Sequence, residues 1–123
     1  MISNRNYFGG YIMSLFGSLL GRGTGNINVV ELKEKIDRKE KGSLYLDVRT
    51  PMEFSSNHIK GFKNIPVDQV PQRLGEIPKD KEIVVICQSG ARSSSAVRFL
   101  KQNGYENVIN VSGGMGAWMM HRF

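Results

Sequence analysis

Apolar positions along the chain follow two periods, and the switches between them mark its elements. Ile12, Leu15, Phe16, Leu19 and Leu20 fall at i, i+3, i+4, i+7 and i+8, which predicts an amphipathic helix with Ser14, Gly17 and Ser18 off its apolar face. The apolar run 7–20 is shorter than the about 20 residues needed to span a bilayer, so a spanning helix is not expected. Contact with a membrane surface, docking on a partner, a signal-peptide core and packing back onto the domain all remain open to it. Gly21, Gly23 and Gly25 then form a flexible joint, which divides the chain into an attached segment, 1–26, and a domain, 27–123.

From Ile27 onward strand and helix patterns alternate. Asn28 with Glu31 three residues later predicts a capped helix whose buried stripe is Val29, Leu32 and Ile36. "LYLDV" is a short apolar strand; Thr50, Pro51 and Glu53 then supply the cap, first position and third position of a second helix. "QVPQRLGEIP" predicts a short helix or turn interrupted by Pro71, and "EIVVI" a strand apolar on both faces. "SSSAVRFLKQNG" predicts a helix starting near Ser93 and closed by Gly104, followed by strand "NVINV" and helix "GGMGAWMMH". The alternation predicts an α/β domain around a mainly parallel sheet.

A chain of 123 residues supports one domain, so these elements share one core. The net charge of +6 favours anionic partners, but its distribution argues against nucleic acid. In "ELKEKIDRKEKG" five basic residues alternate with Glu31, Glu34, Asp37 and Glu40, as on a solvated helix face. Two histidines and one cysteine cannot build a structural zinc cluster or an internal disulfide; neither a metal nor a cofactor is expected. The unpaired thiol suits the reducing cytoplasm, with export or a membrane surface as the alternative location through the first segment.

That thiol, Cys87, ends the "EIVVI" strand and precedes Gln88, Ser89, Gly90, Ala91, Arg92 and Ser93. A cysteine there is by default an inert core residue. Its neighbours point elsewhere. Gly90 permits a tight loop whose amides converge ahead of a helix N-terminus, where a partial charge of about +0.5 favours anions. Arg92 adds a full charge, and together these predict a lowered Cys87 pKa and a nucleophilic thiolate. The position also lies beyond the carboxyl end of a strand, where open α/β sheets bind ligands.

"CQSGARS" resembles the active-site loop of the rhodanese sulfurtransferases. "LDVRTPMEF" is similar to that family's Asp-x-Arg and acidic-aromatic signature, "HIKGFKNIP" to its His-Ile-x-Gly segment, and "VSGGMGAW" to its terminal Gly-Gly and Trp pattern. The matches run in family order over 27–118. Asn57, where Gly commonly precedes the histidine, and Phe62, where a small residue commonly follows Gly61, depart from the pattern. The resemblance implies a doubly wound, rhodanese-like sheet with helices on both faces. It also implies transfer of sulfane sulfur from a small anionic donor such as thiosulfate through a Cys87 persulfide. With no second cysteine to resolve that persulfide, the acceptor must be external: cyanide, a small thiol or a sulfur-acceptor protein. Residues 88–92 would provide amides for the added sulfur, and Ser93 either a hydroxyl or a helix cap. Asp47 and Arg49 are expected to support the site as an ion pair or cap rather than touch substrate. His58 is expected to fix a turn and Trp118 to join the core.

Two rival functions share these residues. Tyrosine-phosphatase-like proteins, including rhodanese-fold cell-cycle phosphatases, also place a cysteine before an arginine in an anion loop, but with five residues between them. Here there are four, which implies a ring sized for one sulfur. The second rival is a docking module or persulfide carrier of the same fold, in which turnover is incidental.

Overall fold

The computed structural model describes residues 25–123. The expected helix within 7–20, its membrane or partner contact and nearly all of the glycine joint lie outside the described residues. No helix among the described residues is long and apolar enough to cross a membrane.

Five strands form one sheet: β1 (Asn26–Ile27), β2 (Ser43–Asp47), β3 (Lys63–Asn64), β4 (Glu82–Ile86) and β5 (Val108–Val111). Their spatial order is β1-β5-β4-β2-β3 and every pairing is parallel. The sheet begins at Asn26, one residue ahead of the expected domain start, and Gly25 O accepts a hydrogen bond from Asn110 N–H at 3.1 Å.

Parallel strands need crossovers, and helices supply them on both faces. Along β4 successive side chains point to opposite sides: Ile83 and Val85 join one buried cluster, Val84 and Ile86 the other. The first cluster is closed by α3 (Ala91–Gln102), through Ala96, Val97 and Leu100, and by the 3₁₀ segment Val67–Glu76, through Val70. The second is closed by α1 (Val29–Asp37), through Val29 and Leu32, and by α4 (Gly114–His121), through Met115, with Phe54 of α2 (Pro51–Ser56) packed alongside. Phe62 is buried there too, its ring 5.2 Å from that of Tyr45, so the larger residue at this position fills core volume. Trp118 is half-buried at the edge of this cluster rather than inside it, with its ring 4.6 Å from that of Phe123.

The expected caps of α1 and α2 form as reciprocal boxes, Asn28 with Glu31 and Thr50 with Glu53. The third helix differs. Gly90 takes a left-handed conformation, φ 109°, and caps α3 two residues earlier than the serine run suggests. That shift draws Arg92 and Ser93 into the first helical turn.

Candidate active site

Cys87 continues the alternation of β4 on the face of Ile83 and Val85, which aims its side chain at the start of α3. It has no exposed surface. Gly90 N–H donates to Sγ at 3.0 Å, and Ser93 Oγ lies 3.2 Å from the sulfur. Burial pushes the thiol pKa up, but the Ser93 hydroxyl and the backbone amides of Ser93, Gly90 and Ser89 outweigh it and hold the pKa below that of a free cysteine. Ser93 makes no side-chain cap for the helix; its hydroxyl lies against the sulfur, and it is itself fully buried.

Gln88 and Ser89 are exposed and Gly90 half-buried, so the loop arches from the strand end over the sulfur and back into α3. The Arg92 guanidinium is engaged by Glu53. Its Nη1 and Nη2 donate to Glu53 Oε1 and Oε2 at 2.8 and 3.0 Å, across to the first turn of α2. Charge still couples Arg92 to Cys87, but the hydrogen bonds to Glu53 are the larger influence on the guanidinium and raise its pKa. Glu53 joins the site by this contact, which its role as a helix cap does not announce.

Asp47 and Arg49 form a buried ion pair beside the loop. Arg49 donates from Nη2 to Asp47 Oδ2 at 2.9 Å, from Nε to both carboxylate oxygens at 3.1 Å, and from its backbone N–H to Oδ1 at 3.0 Å. The remaining reach of the guanidinium is structural: Nη2 donates to Asn57 O at 2.6 Å, and Nη1 lies 3.5 Å from Gln88 Oε1. Asn57 is extended, φ −169°, so the position occupied by glycine in the resembled motif needs no special backbone here. His58 stacks on Phe54 with ring centroids 3.8 Å apart, and its Nδ1–H donates to Phe54 O at 2.7 Å, which closes α2 onto its own side chains.

The other wall is the start of α4. Met115 N–H donates to Cys87 O at 2.9 Å and Gly116 N–H to Gln88 O at 3.0 Å, so one helix terminus holds the carbonyls of the loop while another faces its sulfur. This approach depends on Gly114, φ 56°: a Cβ there would strike Cys87 O and stand 2.7 Å from the carbonyl carbon of Gln88. A cleft of about 360 Å³ opens beside the loop between Arg49, Met52, Glu53, Asn57, Gln88 and Met119. Gln88 borders it, while the buried Cys87 is not part of its lining.

The geometry brings together a desolvated sulfur with a lowered pKa, converging amides, and an ion-paired arginine at the rim. Such a site favours the thiolate form of its cysteine. Residues 28–121 match the family described as the rhodanese-like domain. A sulfurtransferase of Allochromatium vinosum is 44% identical over 78 residues, covering 63% of this chain and 73% of that protein. The thiosulfate sulfurtransferase GlpE of Pseudomonas syringae pv. syringae is 35% identical over 80 residues, covering 65% of this chain and 76% of its own. Among solved structures, a rhodanese-like domain protein from Staphylococcus aureus aligns with a TM-score of 0.71 at 36% identity, over 76% of this chain and 90% of that one. The chain belongs to the rhodanese-like family of sulfurtransferases and sulfur carriers.

Proposed function

We propose that the protein carries sulfane sulfur on Cys87, taking it from thiosulfate or another small anionic donor and passing it to an external thiophile. The observation that carries this reading is the placement of Sγ, 3.0 Å from the Gly90 amide and 3.2 Å from the Ser93 hydroxyl, at the start of a helix. The Cys87 thiolate attacks the outer sulfur of thiosulfate, a new S–S bond forms, and the old one breaks with its electron pair leaving on sulfite. The persulfide keeps one negative charge, which the amides of residues 88–92 and the Ser93 hydroxyl receive without a side-chain base. Cyanide or a thiolate then attacks the terminal sulfur and the Cys87 thiolate returns.

Other residues act around this step. Arg92 offers partial positive charge at the rim, Asp47 and Arg49 hold the loop floor, and residues 27–123 act as the transferring domain with 1–26 attached. Because the sequence has no resolving thiol, the acceptor is a separate molecule, a small thiol or a protein; a carrier role for a partner enzyme uses the same persulfide. The reading assigns the reaction to the reducing cytoplasm, where a solitary thiol stays available. Intact-mass measurement after thiosulfate treatment tests it: the parent gains the mass of one sulfur and loses it to cyanide, whereas Cys87→Ser gains none. A parent that gains no sulfur from any donor, or a Cys87→Ser variant that transfers at the parent rate, rejects the assignment.

A further inference from the structure

Counting hydrogens around Cys87 leads to Asn110 on β5, a residue whose strand pattern gives no hint of the site. Its side chain is buried, with 6% of the residue exposed. Its Nδ2 donates to Asn26 Oδ1 at 2.9 Å and to Ser94 Oγ at 3.2 Å. Ser94 Oγ gives its only hydrogen to Gly90 O at 2.8 Å, so toward Asn110 it can only accept. With both amide hydrogens engaged, Asn110 presents Oδ1 to Ser93, and Ser93 Oγ–H donates to it.

A hydroxyl has one hydrogen to give. Ser93 Oγ faces three acceptors: Asn110 Oδ1, Gly90 O at 3.1 Å and Cys87 Sγ at 3.2 Å. Gly90 O already receives Ser94 N–H at 3.1 Å as well as the Ser94 hydroxyl, which fills both its lone pairs. The Ser93 hydrogen is therefore shared between Asn110 and the sulfur. While it rests on Asn110, Ser93 offers Cys87 only lone pairs, and the thiol S–H donates to Ser93 Oγ. When the sulfur is charged, the hydroxyl turns to it and leaves a buried amide oxygen without its donor, a loss of stabilisation that opposes ionisation.

We propose that Asn110 is a positioning residue that sets the direction of the Ser93 hydroxyl, holding the resting sulfur as a thiol and releasing the hydrogen when Cys87 becomes a thiolate or persulfide. Its part in turnover rests on the persulfide reading above; its effect on the hydroxyl does not. The charged groups about the site, Arg92 on α3, Glu53 on α2 and the Asp47–Arg49 pair at the end of β2, stay the same in every variant below. Asn26 is exposed, so water can replace the hydrogen bond it loses.

Because the chain has a single cysteine, thiolate absorbance in the ultraviolet titrates Cys87 directly in the full-length protein. Asn110→Ala is expected to raise the thiolate fraction about tenfold at a fixed pH below the midpoint, as one released hydrogen bond to a charged group would. Ser93→Ala lowers that fraction, and in the Ser93→Ala background Asn110→Ala changes nothing. Asn110→Val, a β-branched residue suited to the strand and lacking an acceptor, repeats the comparison if the alanine variant does not fold. Titration of both Asn110 variants with the parent, or an equal shift with and without Ser93, overturns the proposal. Failure of the parent to form a persulfide would reject the transfer reading instead, without touching the titration.

Discussion

Arg92 and Glu53, 39 positions apart in sequence, meet in a two-pronged ion pair that joins the first turns of α3 and α2. The Glu53 carboxyl is held down to about 2, first by the Arg92 hydrogen bond and then by the Thr50 amide. Its folded pKa is depressed, so what the pair adds to stability is complete above the free-carboxylate range and is lost progressively as pH falls from there through about 2. At any ordinary assay pH the arginine is therefore partnered, and its charge is only partly available to an anionic donor. Glu53→Gln keeps the Thr50 capping box and removes the negative charge. The KM for thiosulfate is expected to fall about threefold or more at low ionic strength, with kcat nearly unchanged and the gain erased by salt. A higher KM would show that Arg92 needs its carboxylate partner to stand in place.

The pH dependence of persulfide formation follows from the lowered Cys87 pKa. Thiolate is the reactive form, so the rate rises with pH and levels off below the range of an ordinary thiol. Ser93→Ala should move this limb upward further than Arg92→Ala, because the hydroxyl lies 3.2 Å from the sulfur while the guanidinium is directed to Glu53. Single-turnover rates across pH for the three proteins check the order. A larger shift for Arg92→Ala would make long-range charge the dominant influence.

Gly114 lets α4 approach the loop closely enough to bind the carbonyls of Cys87 and Gln88. Gly114→Ala places a methyl group against that backbone and strains a left-handed residue, with an expected loss of about 2 kcal/mol or more and of most sulfur transfer. Denaturant unfolding and thiosulfate:cyanide turnover measure the two effects. Parent-like values for both would mean that α4 can retreat without moving the sulfur.

Asp47→Asn leaves the Arg49 guanidinium buried without its carboxylate. Breaking such a pair costs about 3–5 kcal/mol, enough to lower the melting midpoint by roughly 10 °C or more. The loop should loosen with it, since Arg49 Nη1 also reaches Gln88 Oε1. A thermal melt within a few degrees of the parent would show that water or Gln88 replaces the carboxylate.

Local patterns carried much of this arrangement. The caps at Asn28 and Thr50 and the apolar run of β4 are properties of neighbouring residues, and those elements form where the patterns put them. Strands β1 and β3 are two residues each, too short to show a period, and only their pairing with β5 and β2 defines them. Gly90 moved the start of α3 because a left-handed residue ends the loop before the serines can act as a cap. The Glu53–Arg92 pair and the Asn110–Ser93 contact join distant parts of the chain, and no periodicity encodes them. In "NVINV" the asparagine Asn110 is polar among apolar neighbours, and its burial comes from packing against Ser93 and Ser94 of α3.

Loop size makes the sharpest distinction between sulfur and phosphoryl chemistry. Four residues separate Cys87 from Arg92, and the last of them, Ala91, already belongs to α3, so the free arch over the sulfur is only Gln88, Ser89 and Gly90. Within it Gly90 N–H stands 3.0 Å from Sγ and the cysteine has no exposed surface. A phosphoryl group on sulfur brings a tetrahedral centre with three peripheral oxygens, each needing a donor, whereas a persulfide adds one sulfur along the axis. With an amide already in contact with the sulfur, the arch is expected to admit the smaller adduct and to exclude the phosphoryl group. The parent should therefore transfer sulfur with negligible aryl phosphatase turnover. One glycine inserted after Ser89 should lower sulfur transfer at least about tenfold by withdrawing the amides from the sulfur. The same insertion should allow phosphate to compete at the site. Paired measurements of thiosulfate sulfurtransferase and aryl phosphatase rates, in parent and insertion variant, decide the matter. Cys87-dependent phosphatase turnover by the parent without a persulfide would assign the loop to phosphate, with Arg92 released from Glu53 to bind it.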